Sequence, residues 1–158
     1  MYKRIMAPVD GSHTSTLGLE EAVRLAKDHR AKLRIVHVVD ESVLTLNLET
    51  IDLLGNLSDG FVANGKKTLK NARALADRHG VKAEGVMYEN LTGRVADFIL
   101  KEAQKWRADI IVMGTHGRRG INHALLGSDA ETVVKSSAVP VLLVRAPEAK
   151  RAAKRKKA

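Results

Sequence analysis

The chain has 158 residues, 44% hydrophobic and 28% charged, with a formal charge of +9, proportions that suit one globular domain with one core. Cysteine is absent, which excludes disulfides, thiolate nucleophiles and Cys-based metal sites. Residues 148–158 hold six Lys or Arg against one Glu, a net +5 that leaves about +4 for the rest, so the high isoelectric point mostly reports a tail attached to a mildly basic domain of residues 1–147.

In chain order, short apolar runs alternate with stretches of helical period. "RIMAPV" (4–9) reads as a strand. It ends in Pro8-Val9-Asp10-Gly11-Ser12, where two readings of Asp10 stand. Its carboxylate closes a turn on Ser12 or His13, or, if the first and fourth strands are neighbours, it accepts from a ligand's ribose or base. Leu19, Ala22, Val23 and Ala26 mark a first amphipathic helix. "LRIVHVV" (33–39) is the second strand. The segment 41–60, "ESVLTLNLETIDLLGNLSDG", is too apolar for a free loop and suits either a core helix or a lid or partner surface. Val62, Leu69, Ala72 and Ala76 mark the second helix. "GFVANGKK" spells most of a P-loop, but Lys67 stands where Ser or Thr is needed and the helical period already runs through it.

"VKAEGVMY" (81–88) is the third strand; Val95, Ile99, Ala103 and Trp106 mark the third helix. "DIIVMG" (109–114) is the fourth strand, Ala130, Val133 and Val134 a short fourth helix, and "VPVLLVR" (139–145) the last strand. Strands separated by helices require crossovers of one hand, so the predicted fold is α/β: a single doubly wound domain, with a five-stranded parallel sheet and about four helices on both faces. Such sheets bind ligands outside the carboxyl ends of the strands, where strand order reverses.

The connection after the fourth strand, "GTHGRRGINHALLGS" (114–128), is longer than a turn requires. Gly114, Gly117 and Gly120 sit three apart, and Gly127-Ser128 precede the fourth helix. Glycines let main-chain N–H groups approach a ligand closely. Ser128 and Glu131 have the spacing of a capping box, which predicts Ser128 as the helix start, and a helix start favours anions. Arg118, Arg119 and His123 lie in the same loop. A connector with an ordinary capped helix is the competing reading, supported by the negative charge of Asp129 and Glu131 at that start. The spacing is not the G-x-G-x-x-G of dinucleotide folds.

Gly114-x-x-Gly117, nine residues, then Gly127-Ser128 resembles the G-2x-G-9x-G-[S/T] pattern of the ATP-binding branch of the universal stress protein family. "RIMAPVDGS", "IVHVVDE" and "VPVLLVR" resemble that family's landmarks in order, so the likeness covers residues 1–145. It implies a sheet of order 3-2-1-4-5 with ATP across the reversal between strands 1 and 4. Pro8, Val9 and Asp10 would line the adenosine, with the Asp10 carboxylate on the ribose. Val38 would offer main-chain contacts to adenine, and Met113 and Gly114 would pack beside the ribose and first phosphate. Gly117, Gly127 and Ser128 would hold phosphates; Arg118 and Arg119 are added for their charge and proximity. Mg²⁺ would bridge the phosphates. The resemblance also implies a homodimer joined through the last strand, 139–144.

The loop holds no Walker lysine and no nucleophile with a partner, which favours a nucleotide-dependent regulatory protein, a switch or sensor with an unknown downstream protein, over a turnover enzyme. Slow ATP hydrolysis is one alternative. Another is weak nucleic-acid or acidic-surface binding by the tail, whose basic residues lack interleaved aromatics. The six histidines lack the paired spacing of a zinc site. No apolar run suits a secretory signal or a membrane span, so a cytoplasmic protein is expected.

Overall fold

A computed structural model describes residues 1–40, 51–90, 93–115 and 126–146. Their order is β1 (Arg4–Pro8), α1 (His13–His29), β2 (Lys32–Asp40), α2 (Ile51–Arg78), β3 (Ala83–Asn90), α3 (Val95–Trp106), β4 (Ile110–Gly114), α4 (Ser128–Ser136) and β5 (Val141–Val144). The sheet runs β3-β2-β1-β4-β5 with every pair parallel. Strand order therefore reverses between β1 and β4, as expected.

The two faces of the sheet carry separate cores, because successive side chains of a strand alternate in direction. Ile5, Ala7 and Val9 of the β1 segment face one way with Leu33, Ile35, Ile110 and Val112, under Leu19, Ala22, Val23 and Ala26 of α1 and Ala72, Leu75 and Ala76 of α2. Met6, Val36, Val38, Ile111 and Met113 face the other way, under Ala96, Ile99 and Ala103 of α3 and Ala130 and Val133 of α4. Covered on both sides, β4 is buried along its whole length, which is why its sequence reads as an unbroken apolar run.

Several expectations are corrected. The third strand begins at Ala83, not at 81: Gly80 turns the chain with φ 77° and the Val81 N–H still donates to Ala76 O across 3.0 Å. The last begins at Val141, because Ser137 Oγ accepts from the Val139 N–H and donates to the Val139 carbonyl, holding that stretch in a turn. Helix α2 starts at Ile51, so half of the ambiguous segment is helix; residues 41–50 lie outside the described residues. Gly60, Gly65 and Lys66 are inside that helix, which disposes of the P-loop reading. Val134, expected on the core face of the fourth helix, is 43% exposed.

One ionic cluster is built into the α3 face. Glu102, 1% exposed, accepts from Arg34 Nη1 at 2.6 Å and from the Tyr88 hydroxyl. Arg34 also pairs with Glu84, its neighbour in the β2–β3 register, and lies 4.7 Å over the Trp106 ring. The hydrogen bond to Glu102, with burial and the carboxylate's charge adding to it, pushes the Tyr88 pKa up to about 12.

Candidate functional site

The site lies where β1 and β4 part. Their register holds only Ile5↔Ile110 and Met6↔Ile111. Pro8, on the β4 side of the next step, has no N–H to continue the ladder, and no further β1–β4 pair follows.

On the β1 side, the Val9 N–H still joins β2 through Val36 O at 2.8 Å. Asp10 Oδ1 accepts from the Ser12 N–H at 2.9 Å, the turn that one of its two readings described. Ser12 is the N-cap of α1, and its hydroxyl accepts from the Ser15 N–H at 3.2 Å. Gly11 has φ 82°, a conformation that requires glycine in this tight link.

On the β4 side, Met113 and Gly114 end the strand. A Cβ on Gly114 would lie 2.5 Å from the Thr14 carbonyl oxygen, and one on Gly18 would lie 2.8 Å from the Gly114 nitrogen. The first turns of α1 therefore lie directly on the end of β4. Asp10, Ser12 and Gly114 are gathered around the same turn, which adjacent strand ends alone would not ensure.

Thr115 is a junction that the sequence reading missed. It is 5% exposed; its N–H donates to Val144 O at 3.0 Å, and its carbonyl accepts from the Gly127 N–H at 2.9 Å. Both ends of the glycine loop are pinned at one point. A lone Thr between strand and glycine loop gives no periodic signal for this.

The start of α4 differs from the expected capping box. The N-cap is Gly127, with no side-chain cap, and Ser128 is the first helical residue. Ser128 O accepts from Thr132 Oγ1, and Glu131 pairs with Lys135, which lowers the Glu131 pKa. Asp129 Oδ1 accepts from the Ala96 N–H at the start of α3, at 3.3 Å. These contacts take the Glu131 carboxylate and one Asp129 oxygen to partners other than the first-turn amides of α4, but both acidic residues stand in that first turn, as the competing connector reading expects. Gly127 has φ −63° and ψ 146°, which any residue adopts, so the site does not require glycine there for conformation.

Of the residues named from the sequence, Pro8, Val9 and Asp10 stand at the carboxyl end of β1, Met113 and Gly114 at that of β4, and Gly127 and Ser128 at the start of α4, tied to Thr115 just past β4, while Val38 stands on the adjoining strand, two residues past the last β1–β2 pair. Gly117, Arg118, Arg119, Gly120 and His123 lie outside the described residues. Among the described residues there is no group of three His, Asp or Glu side chains that could hold a metal ion, and no helix is long and apolar enough to cross a membrane.

The fold is shared with known proteins. A universal stress protein of Methanocaldococcus jannaschii is 36% identical over 94% of this chain and 85% of its own length. The universal stress protein YxiE of Bacillus subtilis is 34% identical over 92% of this chain and all of its own. Among solved structures, a second M. jannaschii protein is 28% identical with a TM-score of 0.79, covering 93% of this chain and 98% of that one. A universal stress protein in complex with cAMP is 26% identical with a TM-score of 0.68, over 91% of this chain and 97% of that one. Residues 1–145 match the universal stress protein family, and with this fold and these relatives the chain belongs to that family.

Proposed function

We propose that this chain is a cytoplasmic, homodimeric stress-response protein that binds ATP at the β1–β4 crevice and acts as a nucleotide-dependent switch or sensor on a downstream protein. The observation that carries the reading is the start of α4. A helix N-terminus whose N-cap, Gly127, makes no side-chain cap stands beside the point where Thr115 pins the glycine loop, and the amides of a helix start, with the helix dipole, favour phosphate. The Gly127 N–H is already bonded to Thr115, so the amides from Ser128 onward carry the phosphate contact, with Gly117 and Arg118 contributing from the loop.

Pro8, Val9 and Asp10 line the adenosine, with Val38 toward the base and Met113 and Gly114 beside the ribose. The complex of a 26% identical relative with cAMP supports an adenine nucleotide as the class of ligand. With no three-residue ligand cluster among the described residues, Mg²⁺ would be held mainly through the phosphates and its own waters, as that ion prefers.

The reading is tested by titrating fluorescent ATP, and separately a DNA oligomer, against the full chain and a version ending at Pro147. Saturable ATP binding by both, with weak, salt-sensitive DNA binding lost on truncation, is expected. Tight DNA binding with no ATP binding would replace this reading with one centred on the tail.

A further inference from the structure

His37 is a polar residue in an apolar strand, 5% exposed on the α1/α2 face. Its Nδ1 lies 2.7 Å from the Val9 carbonyl oxygen. A carbonyl only accepts, so Nδ1 carries the proton. The ring is held by α2: a Cβ on Gly65 would lie 2.6 Å from Val39 Cγ2 and 3.1 Å from His37 Cδ2, so only a glycine lets the helix close over it.

This bond replaces a rung of the sheet. In a parallel ladder, a residue donating to one carbonyl of its neighbour strand accepts from the N–H two residues further on. Val9 donates to Val36 O, so its carbonyl would ordinarily receive the Val38 N–H. It receives the imidazole instead, and the β1–β2 register stops at Pro8↔Val36. The main-chain N–H and C=O of Val38 share the β1 side with those of Val36, beyond the last paired residue.

We propose that His37 is a positioning residue for the base end of the nucleotide site. By occupying the Val9 carbonyl it stops β1 from zipping onto Val38 and leaves an adjacent donor and acceptor there. That pair matches the edge of adenine, with its ring nitrogen acceptor beside an amino donor, and opposes guanine, where the two are reversed. The inference rests on the nucleotide reading above.

The test uses the full chain as parent, His37→Leu and His37→Asn; the asparagine amide can reach the place of Nδ1, whereas leucine has no donor. In the free parent, the Val38 amide should exchange with solvent at least tenfold faster than that of Val36. The exchange should slow in His37→Leu, as the freed carbonyl captures it, and stay fast in His37→Asn. Adenosine affinity should fall at least tenfold in His37→Leu, with a reduced preference over guanosine, and be largely restored in His37→Asn. Equal protection of Val38 and Val36 in the parent would overturn the proposal even if the leucine variant did not fold. Equal adenosine binding by parent and a folded leucine variant would do the same. A parent that bound no adenosine would instead remove the nucleotide reading itself, and the base contact with it.

Discussion

The Gly127 N–H donates to the Thr115 carbonyl across 2.9 Å, so the two ends of the glycine loop meet at one point, and α4 starts there from a glycine N-cap that makes no side-chain cap hydrogen bond. Because Ser128 follows the cap instead of forming it, Ser128→Ala should change stability by less than about 0.5 kcal/mol, the range of an exposed substitution. A true N-cap would lose about 1 kcal/mol. Urea denaturation of parent and variant separates the two values, and a loss near the larger figure would restore Ser128 as the cap.

Gly18 and Gly114 set the distance between α1 and β4. A methyl at Gly18 would meet backbone at 2.8 and 2.9 Å, atoms that cannot swing aside. Gly18→Ala should therefore cost about 1–3 kcal/mol through overpacking. Gly60, in α2 with nothing within 4 Å of its added Cβ, should respond oppositely: Gly60→Ala should stabilise by roughly 0.5–1 kcal/mol through helix propensity. Melting curves of the two variants should move in opposite directions; a shared direction would contradict the packing described.

The Arg34–Glu102–Tyr88 cluster makes both a mutational and a pH prediction. Arg34→Met removes the partner of a carboxylate that is 1% exposed, and should cost about 3 kcal/mol. Adding Glu102→Leu should recover much of that loss, since the stranded charge is then gone. For Tyr88, the folded pKa of about 12 lies above the ordinary value of 10.0. Its contribution is complete below pH 10 and is lost as pH rises from 10 toward 12. Tyr88→Phe should make unfolding less sensitive to pH across that window; identical slopes for parent and variant would rule the linkage out.

The fold was legible because its signals were periodic. Leu19, Ala22, Val23 and Ala26 share one helix face, and all are buried. The run at β4 is apolar because both its faces are covered. Strand ends were less legible: at Val81, the return from α2 through Gly80 has the same composition as a strand. At the site, Asp10 closing on Ser12 followed from local turn chemistry. Ser128 and Glu131 had the spacing of a capping box, but Lys135 one turn on competed for the carboxylate and won. The contacts of Thr115 with Val144 and of His37 with Val9 join segments far apart in sequence, and no local pattern encodes them.

β5 is an edge strand, and its four residues, Val141 to Val144, are only half-buried in the single chain. An apolar edge in that state favours pairing with another chain. Sedimentation at micromolar concentration should give a dimer, and Leu142→Lys, once shown to fold, should give a monomer. A monomeric parent would count against the assembly proposed.

Calorimetric titration of ATP and adenosine into the parent, Gly127→Val and Asp10→Ala, each with an unchanged circular dichroism spectrum, tests the nucleotide site most directly. Gly127 has an ordinary extended conformation, so valine there fills the approach to the α4 amides without straining the backbone. ATP affinity should fall at least tenfold in Gly127→Val, about 1.4 kcal/mol, with adenosine little changed, whereas Asp10→Ala should weaken both ligands alike. ATP bound by Gly127→Val as tightly as by the parent would contradict phosphate binding at the start of α4 and return the glycine loop to the role of a connector.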